Sequence, residues 1–181
     1  MRYTMKKIET MLTQKKQYDG KIINVRLDEV EVDNHQRLRE VVEHPGGVCV
    51  LAINHKNEAL VVEQYRYGVE EFLLELPAGK KEPNENPLLT AKRELLEETG
   101  FKATSWIDFG VFYPSPAYLN EVIHCYIATD LTASSQQLDE GEYLDTYFMH
   151  LDSLKEKILL NEIKDGKTIA CITRYLMLQN K

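Results

Sequence analysis

The chain has 181 residues, of which 43% are hydrophobic and 28% charged, and these values exclude a disordered or fibrous chain and predict one soluble folded unit. A formal net charge of -7, with no basic stripe, excludes a nucleic-acid backbone as the main partner. No apolar run approaches the roughly 20 residues that a membrane-spanning helix needs, so we expect no membrane partner.

The amino terminus and the cysteines indicate the compartment. Residues 1–12 have no continuous apolar stretch and no small-residue cleavage site, so they do not form a secretory signal and the chain is expected in the cytoplasm. The cysteines are odd in number and widely spaced in apolar surroundings, which is neither a disulfide framework nor a zinc pattern. We therefore expect small core residues at Cys49, Cys125 and Cys171.

A hairpin is predicted near the amino terminus. Residues 21–32 alternate apolar and polar side chains, with one phase slip near Asp28 and Glu29 that suggests a bulge, and residues 37–44 follow a turn-like segment. We expect residues 1–44 to form a small antiparallel β region, and residues 45–181 to form the main domain.

Three strands are predicted at the start of the main domain. Residues 46–54 and 59–67 are separated by a polar turn, and the first of them is continuous enough in apolar residues to be a buried strand. A short strand over residues 72–76 then runs into Pro77.

A helix is predicted over residues 87–99. Asn86 suits the N-cap, Pro87 suits the first helical position, and Gly100 suits the position after the end. Leucines recur at seven-residue intervals and are expected to face the core; the pairs are Leu88 with Leu95 and Leu89 with Leu96.

The remaining elements determine the predicted fold class. Apolar patterns predict further strands and then two helices, over residues 105–113, 121–131, 143–151, 153–160 and 167–178. Because strands, one helix, further strands and two helices follow one another, we expect an α+β or mixed α/β fold with helices flanking a mixed sheet, and not a doubly wound parallel sheet.

Three carboxylates lie close together on the predicted helix 87–99. At about 100° per residue, Glu94, Glu97 and Glu98 share a face, which we place opposite the leucines. Such mutually repelling charges are tolerated if they are fully solvated or if a cation neutralises them, and hard divalent cations prefer oxygen ligands. The three carboxylates alone therefore allow two interpretations, a solvated acidic face and a metal site.

A longer pattern favours the metal site. The chain resembles the Nudix hydrolases because it carries their complete Nudix box, in the residues Gly79, Glu85, Arg93, Glu94, Leu95, Glu97, Glu98, Gly100 and Phe101. The resemblance implies a Nudix fold, with a mixed β-sheet sandwiched between helices. It also implies hydrolysis of a nucleoside diphosphate linked to another moiety, with Mg²⁺ or Mn²⁺ held against the diphosphate.

The resemblance assigns roles to the residues of the box. Glu94 and Glu98 are expected to be direct metal ligands, and Glu97 a further ligand or a group that acts through water. Arg93 and Glu85 are expected to orient this acidic cluster.

Two glycines and one alanine complete the expected site. The resemblance implies that Gly79 and Gly100 permit the turns on either side of the helix, and that Ala78 offers its backbone carbonyl to the metal.

Five collinear segments resemble bacterial ADP-ribose pyrophosphatases, at residues 44–53, 63–79, 113–121, 138–145 and 166–170. Pro116 lies fifteen positions past the box, where the ADP-ribose hydrolases carry a marker proline. The expected reaction is hydrolysis of ADP-ribose to AMP and ribose 5-phosphate.

Substrate contacts and a general base are also implied. Arg66 is expected to contact the diphosphate or ribose side of the substrate; the alternative is a surface salt bridge with Glu70 or Glu71. The base is expected in the loop of residues 132–144, where Glu140 is favoured over Glu142.

One departure from the relatives bears on specificity. Where most of them have glycine after "SP", this chain has Ala117 followed by Tyr118, which puts the sugar in doubt and leaves GDP-mannose or another nucleotide sugar as an alternative. Glu121 matches a family glutamate near the terminal ribose or metal; the alternative is a carboxylate at a strand edge.

The resemblance to bacterial ADP-ribose pyrophosphatases also predicts an oligomeric state. They are homodimers in which the N-terminal β region exchanges with the partner and helps to cover adenine, so we expect a homodimer, with an aromatic from residues 18–44 or from the same region of the partner near the base. Tyr18 is the one aromatic in that stretch, and the identity of the stacking residue stays open. A non-catalytic ligand-sensing domain is a further alternative, although such domains commonly lose carboxylates of the box and this chain has them all.

Overall fold

The computed structural model describes residues 6–138 and 140–179. The strands are β1 (Thr10–Asp19), β2 (Asn24–Val32), β3 (His35–Glu43), β4 (Gly47–Ala52), β5 (Glu58–Arg66), β6 (Glu71–Glu75), β7 (Ala78–Lys80), β8 (Phe101–Phe112), β9 (Ile123–Ala133) and β10 (Leu144–His150). The helices are α1 (Pro87–Thr99), α2 (Leu151–Leu159) and α3 (Gly166–Gln179). The strands form three sheets, with the orders β1-β2-β3, β10-β5-β6 and β7-β4-β9-β8.

Each predicted strand and helix has a counterpart, and two strands were not predicted. All residues of β1 are exposed, so β1 lacks the alternation of apolar and polar side chains that a half-buried strand shows, and β7 has only three residues. The predicted bulge is also misplaced. Pairing of β2 with β3 is continuous from Asn24 to Val32, and the register shifts lie instead in β1, between Met11 and Thr13 and between Lys16 and Tyr18.

The chain divides into two compact units. The first contains residues 6–45 and 115–121, and the second contains residues 46–114 and 122–179. The boundary after residue 45 lies next to the one predicted after residue 44. Segment 115–121 was not expected in the first unit; it is held there by backbone hydrogen bonds to β3, because Val42 donates to the carbonyl of Tyr118 and accepts from the N–H of Asn120.

The second unit has a mixed sheet between helices, as predicted. Strands β4 and β9 are parallel, whereas β4 with β7 and β8 with β9 are antiparallel. Successive residues of β4 pack on opposite faces: Val48 and Val50 pack in a cluster with Leu95 of α1, and Cys49 and Leu51 in a cluster with residues of α2 and α3. Burial on both faces explains why the sequence of β4 is continuously apolar.

The cysteines are all free and buried, as expected for core residues. They lie in the same apolar cluster, to which β4 contributes Cys49, β9 contributes Cys125 and α3 contributes Cys171. The hydrogen bond with Cys171 and burial raise the pKa of Cys125. The hydrogen bond with Cys125 lowers the pKa of Cys171, but the hydrogen bond with Cys49 and burial outweigh it and raise that pKa, so the neutral forms are favoured.

Helix α1 presents a different face to the core from the one predicted. Leu95 is fully buried and Leu88 packs against the same cluster, but Leu89 is exposed. Glu98 is only 2% exposed, because it lies three positions after Leu95 and therefore on nearly the same side of the helix. Placing all the carboxylates opposite the leucines was wrong for Glu98.

Within the described part of the chain, no helix is long and apolar enough to cross a membrane.

Candidate active site

Caps at both ends of α1 determine where its carboxylates lie. Asn86 has an extended backbone, and its Oδ1 accepts the N–H of Leu88 at 2.9 Å. Gly100 ends the helix with φ 69°, in the left-handed region, and its N–H donates to the carbonyl of Leu96 at 2.8 Å. Because the caps hold residues 87–99 in one regular helix, the helical repeat determines the angles at which Glu94, Glu97 and Glu98 leave α1.

Arg93 lies at the centre of the acidic cluster. Its Nη1 donates to Glu94 Oε1 at 2.8 Å and to Glu97 Oε2 at 2.9 Å. Its Nε and Nη2 donate to the two oxygens of Glu85, each at 3.1 Å. The hydrogen bonds from Arg93 lower the pKa of Glu85 to about 2, and the pKa of Arg93 is raised above its ordinary value. The guanidinium therefore joins three carboxylates of the box and limits the directions in which they point.

Glu98 is a buried carboxylate at the end of α1. Its Oε2 accepts the N–H of Ala78 at 2.9 Å, which ties the helix to β7. Burial raises the pKa of Glu98 to about 8, even though this hydrogen bond favours the charged form, and the charges of Glu94 and Glu142 raise it further. Burial also raises the pKa of Glu94, to about 7, against the effect of Arg93. Glu94 and Glu98 therefore carry their charges at a cost that a bound cation would remove.

The two glycines of the box have different environments. Gly100 is in the left-handed region, as a turn after the helix requires. Gly79 lies in strand β7 and not in a turn, and the carboxylate of Glu94 packs against its α-carbon. Glycine is therefore needed at residue 79 because the carboxylate of Glu94 comes close to its backbone.

The oxygen ligands needed for a metal are present but are not assembled. Within residues 6–138 and 140–179, no three His, Cys, Asp or Glu side chains converge to hold a metal ion. Arg93 attracts oxygens of Glu94 and Glu97, while an oxygen of Glu98 accepts from Ala78. The donor set still fits a hard divalent cation, because it consists of oxygens, and the pKa values of the buried Glu98 and the partly buried Glu94 are raised.

The two loop glutamates have different surroundings. Glu140 is exposed and lies in a turn beside Gly141, which has φ 85°. Glu142 is half-buried, and its charge raises the pKa values of Glu94 and Glu98. Of the two candidate bases, Glu142 is therefore the one whose charge reaches the carboxylates of α1.

Arg66 pairs with a glutamate that the sequence did not suggest. Its Nε and Nη2 donate to the two oxygens of Glu75 at 2.6 and 2.8 Å, and neither Glu70 nor Glu71 forms a salt bridge with its guanidinium. Glu75 is 1% exposed and also accepts from Lys167. Burial alone would raise the pKa of Glu75, but Arg66 and Lys167 hold it below its ordinary value. Sequence reasoning did not single out Lys167; a glutamate inside the apolar run "FLLEL" was the available sign that a buried cation was needed.

The residues expected near the terminal ribose belong to the first unit. Pro116, Ala117 and Tyr118 are exposed. Glu121 is more buried, and its Oε1 lies 3.0 Å from Nδ1 of His44. Tyr18, a candidate for stacking on adenine, is 57% exposed and belongs to the same unit.

A family model described as the NUDIX domain matches residues 43–170. A methanol dehydrogenase activator of Bacillus methanolicus is 39% identical over 90% of this chain and 89% of its own length. An ADP-ribose pyrophosphatase of Bacillus subtilis (strain 168) is 36% identical over 97% of this chain and 96% of its own length.

A solved structure also resembles the chain. The crystal structure of an ADP compounds hydrolase superposes with a TM-score of 0.81, covering 94% of this chain and 95% of that chain, at 22% sequence identity. At this identity, the likeness supports the fold alone.

Proposed function

Because the chain belongs to the NUDIX family, we propose that it is a hydrolase that cleaves the diphosphate of ADP-ribose to AMP and ribose 5-phosphate. The observation that carries the proposal is the buried carboxylate of Glu98, which lies beside that of Glu94. Both belong to a Nudix box in which every charged residue is present. ADP-ribose is proposed as the substrate because the Bacillus subtilis relative, which matches almost the whole chain, is named an ADP-ribose pyrophosphatase.

A divalent cation, Mg²⁺ or Mn²⁺, is the proposed cofactor. Glu94 and Glu98 would hold it, together with Glu97 and the carbonyl of Ala78. When bound, such a cation neutralises charge on the phosphates and makes a water molecule more acidic. Arg93 holds Glu94 and Glu97 on one side of the helix, and the N–H of Ala78 holds Glu98. These contacts limit the directions in which the three carboxylates point.

Arg66 is the proposed phosphate contact. Two of its donor nitrogens are used by Glu75, and the third, Nη1, has no hydrogen-bond partner among residues 6–138 and 140–179. A guanidinium held on one side in this way presents its remaining donors in a defined direction, which suits an anionic oxygen. In segment 115–121, Glu121 and Tyr118 are the proposed contacts for the terminal ribose.

The general base is proposed to be Glu142. The sequence favoured Glu140, but Glu140 is exposed, and the charge of Glu142 acts on both Glu94 and Glu98. A base must come within hydrogen-bond reach of the attacking water, and a loop that contains Gly141 can bring Glu142 there.

A panel of nucleotide sugars tests the reaction. ADP-ribose, GDP-mannose and other nucleoside diphosphate sugars are incubated with the protein and Mg²⁺ or Mn²⁺, with and without EDTA, and the nucleoside monophosphate released is measured. We expect the fastest release from ADP-ribose and none with EDTA. A preference for GDP-mannose would replace the substrate with the alternative that Ala117 and Tyr118 suggest. No metal-stimulated release from any substrate would favour the ligand-sensing domain and contradict the proposed enzyme.

A second candidate function is activation of a dehydrogenase, since the Bacillus methanolicus relative is named for activating methanol dehydrogenase. Its test is the rate of a purified methanol dehydrogenase with and without this protein. An increase that persists in the Glu98→Gln variant would separate activation from hydrolysis. An increase that disappears in that variant would make hydrolysis its cause.

We also propose that the protein is a cytoplasmic homodimer that pairs through the first unit. The sheet β1-β2-β3 and its flanking residues expose large hydrophobic side chains, including Ile8, Met11, Leu12, Tyr18, Ile22 and Leu38. Light scattering after size-exclusion chromatography measures the mass in solution. We expect the mass of two chains, and a monomer at micromolar concentration would contradict the proposal.

A further inference from the structure

Lys167 connects helix α3 to the partner of Arg66. It lies in the first turn of α3, with a side chain only 16% exposed, and its Nζ donates to Glu75 and, at 2.9 Å, to Asp165. The second oxygen of Asp165 accepts the N–H of Thr168 at 2.9 Å, so Asp165 both caps α3 and holds Lys167. The ammonium group is therefore held from two sides.

A second contact holds this turn of α3 against the end of β6. The hydroxyl of Thr168 accepts the N–H of Leu76 at 2.9 Å, and both groups are buried. Leu76 follows Glu75 in the chain, so the backbone next to Glu75 is attached to the residue after Lys167. The position of Lys167 relative to Glu75 thus depends on a backbone hydrogen bond as well as on the ion pair.

The charges of the cluster balance. Two cations, Arg66 and Lys167, face two carboxylates, Glu75 and Asp165. Glu75 is 1% exposed, so water cannot replace a missing partner without opening the core. Without Lys167, Glu75 keeps only Arg66, whose side chain is 41% exposed and could then follow the carboxylate into new rotamers. The geometry at Arg66 thus depends on a residue that does not touch it.

We propose that Lys167 is a positioning residue for substrate binding, which acts through Glu75 to hold the guanidinium of Arg66 in its binding orientation. This inference rests on the proposed function of Arg66 as a phosphate contact. It assigns Lys167 no contact with the substrate.

The chain contains a matched control for this proposal. Lys164 and Glu71 form an ion pair at 2.6 Å that joins the same two regions, the approach to α3 and strand β6, but both side chains are about half exposed. Lys164→Met and Lys167→Met therefore make the same chemical change at an exposed and a buried pair. Exposed pairs contribute little to stability.

The experiment measures kcat and KM for ADP-ribose, and the Kd of the non-hydrolysable α,β-methylene analogue by calorimetry. For Lys167→Met we expect KM and Kd to rise about tenfold, the loss expected when one charged hydrogen bond is misplaced, while kcat changes less than about threefold. Lys167→Arg should keep both values within about threefold because it retains the charge, and Lys164→Met should resemble the wild type. If Lys167→Met does not fold, Lys167→Gln replaces it: it fills the space but removes the positive charge beside Glu75, so KM and Kd should again rise, and unchanged values would overturn the proposal.

A double-mutant cycle decides whether the effect passes through Arg66. Arg66→Met should itself raise KM and Kd by about tenfold or more, and adding Lys167→Met should then change neither further. Equal effects of Lys167→Met in the two backgrounds, or an unchanged KM and Kd in the single variant, would overturn the positioning role. An unaffected Arg66→Met would instead remove the proposed phosphate contact, and absence of wild-type hydrolysis would remove the proposed function.

Discussion

The carboxylate of Glu94 fills the space that a side chain on Gly79 would need. A Cβ atom placed on Gly79 would lie 1.9 Å from Cδ of Glu94 and about as close to both of its oxygens. No non-hydrogen atoms approach each other this closely without bonding, so the observed position of Glu94 requires glycine at residue 79. The pairing of β7 with β4 places Gly79 at this point beside α1.

Gly79→Ala is expected to inactivate the protein without unfolding it. The atoms in the way belong to the end of a flexible side chain, so Glu94 can rotate away while the backbone stays in place. Loss of one metal ligand from its position should lower kcat/KM for ADP-ribose on the order of 100-fold. Thermal denaturation should show a small change in Tm.

The control for this variant is Gly68→Ala. Gly68 has no atom within 4 Å of a built Cβ, and its φ is outside the left-handed region. Its activity should match the wild type. Full activity of Gly79→Ala would show that Glu94 does not have to occupy this position.

Glu98→Gln is expected to remove turnover and to preserve the fold. The amide oxygen can still accept the N–H of Ala78, and the amide is neutral at every pH whereas burial disfavours the charged form of Glu98, so Tm without metal should stay equal or rise. Turnover should fall on the order of 1,000-fold because the metal site loses one of its two main carboxylates. The stabilisation of the wild type by Mg²⁺ or Mn²⁺ in a thermal shift assay should be lost.

Glu156→Gln, at an exposed position of α2, is the matched control for Glu98→Gln. It should keep both the turnover and the thermal shift with metal. If Glu98→Gln kept wild-type turnover, the metal assignment would be wrong.

The pair Glu142→Gln and Glu140→Gln separates the two candidate bases. The structure favours Glu142, so its substitution should lower kcat by roughly 100-fold or more, the usual contribution of a general base, with little change in KM. Glu140→Gln should change kcat by less than about threefold, because this side chain is exposed. Single-turnover kinetics, with the enzyme in excess and at a concentration that binds all the substrate, measure the step directly. The reverse order of effects would return the assignment to Glu140.

Glu75→Gln is expected to change how stability depends on pH. The pKa of Glu75 in the folded protein lies below its ordinary value of 4.5, so its charge stabilises the fold above about pH 4.5. This contribution is lost as the pH falls through the lower folded-state pKa. At pH 7 the variant should lose about 2 kcal/mol of unfolding free energy, since Arg66 and Lys167 lose a charged partner.

Urea denaturation from pH 3 to pH 8 measures this difference. The gap in unfolding free energy between wild type and Glu75→Gln should be constant above about pH 5.5 and should narrow as the pH falls below about 4.5. A gap that does not change with pH would show that the charge of Glu75 does not contribute.

Helix α1 shows how much local sequence can predict. Its ends were predicted correctly because Asn86, Pro87 and Gly100 act on backbone groups only a few residues away, so their effect does not depend on the rest of the fold. The grouping of Glu94, Glu97 and Glu98 on adjoining positions of the helix follows in the same way from the helical repeat. The identity of the box and the family could therefore be inferred before the fold was known.

The surroundings of these residues required the tertiary structure. Helical spacing gives angles between side chains, but the burial of Glu98 depends on where β7 and β10 lie, and those strands are distant in the chain. The strands β1 and β7 carry no clear pattern, since one is wholly exposed and the other is very short.

The partners in long-range ion pairs could not be predicted from the sequence of this protein. The residues of the Nudix box, their spacing and the caps of α1 are all local, and the sequence alone determined them. Arg66 and Glu75 are nine residues apart on adjacent strands, but the second partner of Glu75 was decided by the fold, because Lys167 meets it across 92 residues of chain. A buried charge needs a partner, but composition and periodicity do not say which distant residue will supply it. Only the packing of α3 on the end of β6 brings these side chains together.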